Sequence, residues 1–344
     1  MSGAPRVSVV TPVYDTADHL AECIESVLRQ TFRDFDYVVV DNQSTDGSAE
    51  IAERYAREDP RVRVVRNREH LPQAPNYNHA LRQIHPASTW CKMVQADDWI
   101  TPDCLERMVA LAERDPAIAM VGSYRLVGDD VAHVGLPCAD PASLTSVLDG
   151  REACRMFLLR HRYLFGTPTT LLYRSDLVRS RERFFREDSR HEDSEVCFEL
   201  LGGHRFGFVH QVLSFTRVEA GSMSGSVEDL DPVLLHRFLV TRRYGRLHLD
   251  EDEYRRTAAL CERAVYRSLV EADPLARDPR RRRYREELFR SAGAEVDHAQ
   301  LRRLQLRHLL ARLGNPASSV LALARRLRAR MAGNGDGAAH GARR

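Results

Sequence analysis

Three groups of acidic residues in this chain stand where strand ends and helix starts put chemistry. Asp97 and Asp98 follow the apolar run Trp90 to Val94, and Asp41 follows Tyr37 to Val40. Carboxylates at a strand's carboxyl end suit a hard divalent cation bound to phosphate; solvated turn acids have the same appearance. Asp41 reads as an acceptor for a nucleoside's ring N–H or ribose hydroxyl, or equally as a loop acid or helix cap. His191-Glu192-Asp193 opens a helix after a polar stretch, where acids interact favourably with the helix dipole.

The elements that must position these groups alternate. Val7–Val10, Tyr37–Val40, Val62–Val65, Trp90–Val94 and Ile118–Val121 read as strands. Between them, Ala17–Gln30, Ser48–Arg57, Asn76–Ile84 and a segment from Thr101 to about Arg114 carry helical periodicity. Thr101-Pro102-Asp103 has the pattern of an N-cap, a proline at the first helical position and an early acid. Such alternation predicts an α/β fold with a doubly wound, mainly parallel sheet flanked by helices. Ligands of such sheets bind outside the carboxyl ends of the strands, which here hold Thr11 to Tyr14, Asp41 and Asp97-Asp98. Residues 122–165 look irregular. Thr169–Tyr173 reads as strand, Glu192–Leu201 as helix, and Phe206–Val209 and Val212–Arg217 as two strands. After about Val227 the pattern is helical. The expected organisation is therefore 1–225 as the α/β domain, 226–331 as a basic helical region, and 332–344 as a disordered tail with no core-forming residues.

The length of 344 residues accommodates one large domain or two modest ones. With 43% hydrophobic and 29% charged residues, the composition excludes a wholly disordered or collagen-like chain. No run approaches the roughly 18 apolar residues of a membrane span, and the first residues are too short an apolar stretch for a signal peptide. Seven scattered cysteines without a Cys-x-x-Cys pair argue against a disulfide framework or structural zinc and fit a reducing cytoplasm. The net charge of +2 hides an asymmetry: residues 241–344 carry 24 arginines against 13 acids. A basic final third points to an anionic surface such as a membrane, a nucleic acid or a partner. Motifs of other nucleotide enzymes are missing. Residues 8–22 contain no glycine for a dinucleotide-binding turn, and the single lysine, Lys92, lies in a strand rather than a phosphate loop. Gly-x-Ser-x-Gly and His-Glu-x-x-His are absent as well.

Taken together, three segments resemble the opening of family 2 glycosyltransferases, the inverting, nucleotide-sugar-dependent enzymes of the GT-A fold. They are Val7-Ser8-Val9-Val10-Thr11-Pro12-Val13-Tyr14, Leu20 to Thr31, and Val38-Val39-Val40-Asp41 through Ser48. Asn78-His79-Ala80-Leu81, Gln95-Ala96-Asp97-Asp98-Trp99, Gly166-Thr167-Pro168, Glu192-Asp193 and Arg217 with Ser222-Met223-Ser224 extend the likeness over residues 6–225. The resemblance implies that Pro12, Val13, Tyr14 and Asp41 hold base and ribose, with Asn78, Gln95 and Asp98 on the donor side. It implies that Asp97 is the ligand of a divalent cation, Mg²⁺ or Mn²⁺, and Asp193 the base, with Trp99, Glu192 and Arg217 toward the acceptor. Two positions depart from the family pattern. Gln95 replaces the first acid of Asp-x-Asp, and Glu219 stands where a histidine is usual.

Inverting transfer needs a base on the acceptor hydroxyl and charge compensation on the departing diphosphate. At the ordinary carboxylate pKa of ~4, Asp193 is expected to be ionised at neutral pH without tuning. The function expected is transfer of a sugar from a nucleoside-diphosphate donor, uridine- or thymidine-linked, to a polysaccharide, lipid-linked or cell-envelope acceptor. A non-catalytic nucleotide-sugar-binding module and a sugar-phosphate nucleotidyltransferase are the alternatives. No nucleic-acid partner is expected. From Pro316, the stripe Val320, Leu323, Ala324, Leu327 and Met331 beside Arg325, Arg326, Arg328 and Arg330 reads as a helix. Such a helix either packs on the domain or gives 316–331 a peripheral contact with an anionic membrane. That contact would place a cytoplasmic protein on the inner face of the plasma membrane.

Overall fold

Valines divide their allegiance along the first two strands. Val7, Val9 and Val13 enter one hydrophobic cluster with Phe35, Tyr37 and Val39, while Val10 enters another with Val38 and Val40. This period of two buries both faces of a sheet, which is why the strands read as continuous apolar runs. A computed structural model describes residues 4–128, 130–131, 144–189, 191–217, 232–272 and 279–314.

The first half of the chain runs β1 (Val7–Val13), α1 (Ala17–Leu28), β2 (Phe35–Asp41), α2 (Ser48–Glu58), β3 (Val62–Arg66), α3 (Gln73–Leu81) and β4 (Trp90–Met93). It continues with β5 (Trp99–Ile100), α4 (Cys104–Ala112), β6 (Ile118–Val127), β7 (Asp130–Val131), β8 (Thr145–Asp149) and α5 (Gly150–Arg160). Then come β9 (Leu172–Arg174), α6 (Ser175–Arg179), α7 (Glu192–Leu200), β10 (Arg205–Thr216), α8 (Pro232–His248), α9 (Glu251–Ala272), α10 (Pro279–Ser291) and α11 (His298–Gly314).

The described strands form one sheet in the order β3-β2-β1-β4-β9-β6-β10-β5, with β7 on β6 and β8 on β10. The two longest ladders, β6–β10 and β1–β2, are parallel, as are β2–β3 and β1–β4; β8 runs antiparallel to β10, and β9 antiparallel between β4 and β6. Leu20, Cys23, Ile24 and Val27 of α1 and Leu105, Met108 and Val109 of α4 cover one face. Ala80 and Leu81 of α3, Phe157 of α5 and Phe198 of α7 cover the other. Each fully buried side chain of this kind stabilises by ~1.5–3 kcal/mol.

The structure corrects several local expectations. β1 continues to Val13, so Thr11, Pro12 and Val13 are buried strand residues and the loop begins at Tyr14. Thr101 is not a helix cap. Its N–H donates to Leu213 O (2.9 Å), continuing the β5–β10 pairing, and α4 starts at Cys104 with Asp103 at the cap position. The region 122–165, expected to be irregular, holds β8 and α5, and Asp149 caps α5 by accepting from the N–H groups of Arg151 and Glu152. Thr169 and Thr170 belong to a 3₁₀ turn, Pro168–Thr170, and the strand starts only at Leu172. The two strands expected over 206–217 are one, β10, with a register shift between Val209 and Val212.

Two compact units contain these elements. One draws on residues 1–227 and 240–258, the other on 228–239 and 259–344. The helical region expected as 226–331 is thus shared. Residues 240–258 belong with the sheet, where the Tyr244 hydroxyl donates to Glu195 (2.6 Å) and Arg155 forms an ion pair with Glu253 (2.5 Å). The second unit has its own core, in which Phe289 packs on Phe238 and Tyr266 with ring centroids 5.0 and 5.2 Å apart. Residues 316–331 and the tail 332–344 lie outside the described residues, as do Glu219 and Ser222-Met223-Ser224.

Candidate active site

The carboxyl ends of β1 and β2 are locked together. Val13 pairs with Asp41 in register, and Asn42 N–H donates to Val13 O (2.8 Å). The two following loops bind each other through side chains. Thr45 N–H donates to Asp15 Oδ1 (2.8 Å), Thr16 N–H to Ser48 Oγ (3.0 Å), and Ala17 N–H to Asp46 Oδ2 (2.8 Å). Asp41 is fully buried. Its Oδ1 accepts from Ser44 N–H (3.1 Å), and Oδ2 has no hydrogen-bond donor, with Arg66 Nε 3.2 Å away as an ion partner. Beside it the Tyr14 ring, half exposed, lies against His70 with centroids 4.4 Å apart. An acceptor oxygen without a donor, next to an exposed aromatic face, has the chemistry of a nucleobase pocket. Pro12 and Val13 shape that pocket only as buried strand; Tyr14 is the exposed side chain of the three.

The turn after β4 is organised around Thr169. Its hydroxyl donates to Asp98 Oδ2 (2.6 Å) and accepts from Gln95 N–H (3.1 Å). Thr169 is held in turn by Lys92, whose buried ammonium donates to Thr169 O (2.6 Å) and Leu171 O (3.2 Å). Burial without a carboxylate partner lowers the Lys92 pKa. Gly166 sets up the turn. Its φ is +72°, and a Cβ there would run into the Thr170 hydroxyl. Asp98, 2% exposed, has its second oxygen taken by Arg217 N–H (3.1 Å). Burial raises its pKa to about 7. Each oxygen thus accepts one bond from the protein, so Asp98 holds the loop together. Asp97, next to it, is half-buried. Arg217 clasps this turn, donating through Nε to Asp97 O (3.1 Å) and through Nη2 to Glu22 (2.7 Å). Trp99 stacks on Phe215 at 5.1 Å, which leaves one indole face at most for a sugar.

Asn78 is buried and hydrogen-bonded within the protein. Its amide donates to Phe185 O (2.8 Å) and Glu187 Oε1 (3.1 Å), and its oxygen accepts from Phe185 N–H (2.8 Å). It ties α3 to the loop before α7, with both amide hydrogens used. The neighbouring Tyr77 is the residue that sequence reasoning missed. Its hydroxyl accepts from Gln95 Nε2 (3.0 Å). Burial raises its pKa, and the charges of Glu192, Asp97 and Asp193 add to that rise.

At the start of α7, Glu192 accepts from Gln73 Nε2 (3.0 Å), and Asp193 Oδ1 from Ser194 N–H (2.7 Å). Tyr163 hydrogen-bonds Ser194 Oγ behind them. Burial first, then the negative charge of Asp193, lifts Glu192 to about 7, and burial raises Asp193. The expectation that Asp193 keeps its ordinary value is therefore corrected. Glu195, one turn on, is neutralised by Arg243 (2.6 Å) and Tyr244 and anchors the helix. Arg125 on β6 was also missed from sequence. Its Nε and Nη1 are buried without a hydrogen-bond partner, and Asp98 and Asp193 act on its charge.

Among the described residues no three-acid cluster could hold a metal on its own. Asp97 supplies a single half-buried carboxylate. That donor set fits Mg²⁺ or Mn²⁺ arriving with a diphosphate, since such ions use one or two carboxylates together with phosphate oxygens and water.

Comparison with known proteins establishes the family. Residues 8–180 match the model of glycosyl transferase family 2. The chain is 31% identical over 240 residues to the glycosyltransferase GlyG of Streptococcus pneumoniae, covering 65% of this chain and 74% of that one. It belongs to glycosyl transferase family 2. The chain spans 46%, 74% and 54% of the length of three curated relatives. The fold is that of TarS 1-349 from S. aureus in complex with UDP-GlcNAc, with a TM-score of 0.59 at 17% identity over 83% of this chain and 79% of that one. It is also that of the mannosyltransferase PcManGT from Pyrobaculum calidifontis in complex with GDP-Man and Mn²⁺. There the TM-score is 0.52 at 17% identity over 95% of this chain and 81% of that one. No helix among the described residues is long and apolar enough to cross a membrane.

Proposed function

We propose that the chain transfers a sugar, with inversion, from a uridine- or thymidine-diphosphate sugar to a hydroxyl of a polysaccharide, lipid-linked or cell-envelope acceptor. The observation that carries this reading is Tyr77. Its hydroxyl accepts from Gln95, two residues before Asp97, and the charges of Asp97, Glu192 and Asp193 all act on it, which supports a site shared by the cation-binding acid and the acid pair. Asp41 and Tyr14 take the base and ribose; Gln95 and Asp97 face the diphosphate. The acceptor oxygen attacks the anomeric carbon in line, its proton passes to the Asp193 carboxylate, and the bond from the anomeric carbon to the phosphate oxygen breaks. A pKa raised toward neutrality makes Asp193 a stronger base than an ordinary aspartate. Arg125, with unused N–H groups, supplies positive charge beside the reacting centre. A divalent cation on Asp97 would act as a Lewis acid on the leaving diphosphate.

A thermal-shift panel of nucleoside diphosphates with and without Mn²⁺ tests this. At 100 times its dissociation constant a true ligand adds about 2.7 kcal/mol of stability. Uridine or thymidine diphosphate should raise the transition, more so with Mn²⁺, and Asp41→Asn should remove the preference for these bases. Equal response to all bases, or none, would refute the donor assignment. The basic final third suits a protein working at the cytoplasmic face of an anionic membrane, where lipid-linked acceptors are presented.

A further inference from the structure

The second compact unit contains a groove of about 540 Å³ between α9 and α11. On α9 its lining comes from Arg263, Arg267, Val270 and Glu271; on α11 from Gln300, Arg303, Leu304, Arg307 and His308. These positions are one face of each helix, spaced by three and four residues. At such facing positions a helix pair normally buries apolar side chains. Here Val270 is buried at the floor, and four arginines stand exposed around it against one acid, Glu271. Among the described residues, neither an ion pair nor a hydrogen bond engages any of the four guanidinium groups. His308 Nε2 is buried in the groove wall without a hydrogen-bond partner. Like charges at this spacing repel one another and destabilise the helices that carry them, so the arrangement acts against folding unless an anion completes it.

We propose that this groove binds a phosphate or diphosphate ester, the arginines forming charge-assisted hydrogen bonds to its oxygens and His308 contributing one from the wall. Arginine's planar fork matches phosphate geometry, and two facing pairs reach opposite sides of one group. The volume and lining suit a small phosphorylated group better than a polynucleotide, which needs a long cationic track with stacking aromatic rings; no phenyl, phenol or indole ring lines the groove. The same chemistry is offered by the head of an anionic phospholipid and by a free phosphorylated molecule. The groove lies wholly within the second unit, so the proposal does not depend on the transferase reading.

The test uses the full chain without divalent cation, titrated with inorganic pyrophosphate and followed by the imidazole resonances, His308 being assigned with His308→Gln. The His308 signal should shift saturably. Arg263→Gln/Arg307→Gln, which alters only exposed side-chain ends, should weaken that response at least tenfold while uridine-diphosphate binding in the presence of Mn²⁺ is unchanged. Vesicles of phosphatidic acid in phosphatidylcholine that compete for the shift, where phosphatidylcholine alone does not, identify a lipid head as the ligand; failure of both to compete identifies a free phosphorylated molecule. A His308 signal that does not move, or that moves equally in the double variant, would overturn the proposal.

Discussion

At the residue scale, the site is a set of carboxylates held at unequal distances from water. Asp97 is half-buried, while Asp98 and Glu192 are both raised to about 7 by burial. Since the folded pKa of Glu192 lies above its ordinary 4.5, the folded chain holds a proton that the unfolded chain has lost between those values. Stability therefore falls as pH rises from about 4.5 to about 7 and levels off above. Glu192→Gln should flatten that decline, which denaturant midpoints at pH 5 and pH 8 would measure; an unchanged difference between the two would contradict the assignment. The same pair sets activity. Turnover should rise with pH through an acidic limb displaced upward from the ordinary carboxylate range, and Glu192→Gln should move that limb to lower pH by removing a neighbouring negative charge. The identities of the acids were legible in the sequence, but their burial was not. Asp98 and Asp97 are adjacent letters, and only the bonds from Thr169 and Arg217 show that Asp98 organises the loop, while Asp97 is the more exposed of the two.

At the element scale, β1, β2 and β4 are neighbouring inner strands whose carboxyl ends carry the residues proposed to hold the donor, and their period-two and apolar patterns made them readable. Thr169 and Thr170 read as strand because both are β-branched, yet they lie in the turn Pro168–Thr170. A lone lysine in β4 pulls the Thr169 and Leu171 carbonyls inward, a long-range bond no local pattern announces. Lys92 was noticed only as a missing phosphate-loop residue, and Tyr77 and Arg125 lay unremarked in a helix and a strand. Gly166→Ala should destabilise by more than ~1 kcal/mol, from the left-handed backbone and the collision with Thr170. Thr169→Val should leave the Asp98 carboxylate without its shortest donor, costing ~1–3 kcal/mol and lowering turnover with less effect on nucleotide affinity. Denaturation curves and steady-state kinetics on the two variants check both statements; wild-type values for either would remove the turn from the catalytic architecture.

At the scale of the whole molecule, charge is segregated by sequence: ten arginines and one acid fall within residues 301–344. The sequence placed a boundary near 226, whereas α8 and α9 each divide between the units, because buried side chains such as Tyr244 and Tyr254 pack with the sheet's cluster. Helical periodicity marks which residues face inward but not which partner they face. The basic segment 316–331 is proposed to attach reversibly to an anionic surface, each arginine contributing at most ~1 kcal/mol. Removing residues 316–344 should lower co-sedimentation with anionic vesicles at low salt and leave nucleotide binding intact. Equal sedimentation of both chains would favour a helix packed on the protein.

The transferase reading rests most heavily on Asp193 as base. Its direct test is nucleoside-diphosphate release from a uridine- or thymidine-diphosphate sugar with Mn²⁺ and acceptor, comparing the native chain with Asp193→Asn. The substitution keeps the side chain's shape and removes the proton acceptor. Release should fall by the ~10²–10⁴-fold that accompanies loss of a general base, with donor affinity preserved. Turnover near the native rate in Asp193→Asn, or loss of donor binding with turnover per bound donor unchanged, would contradict it.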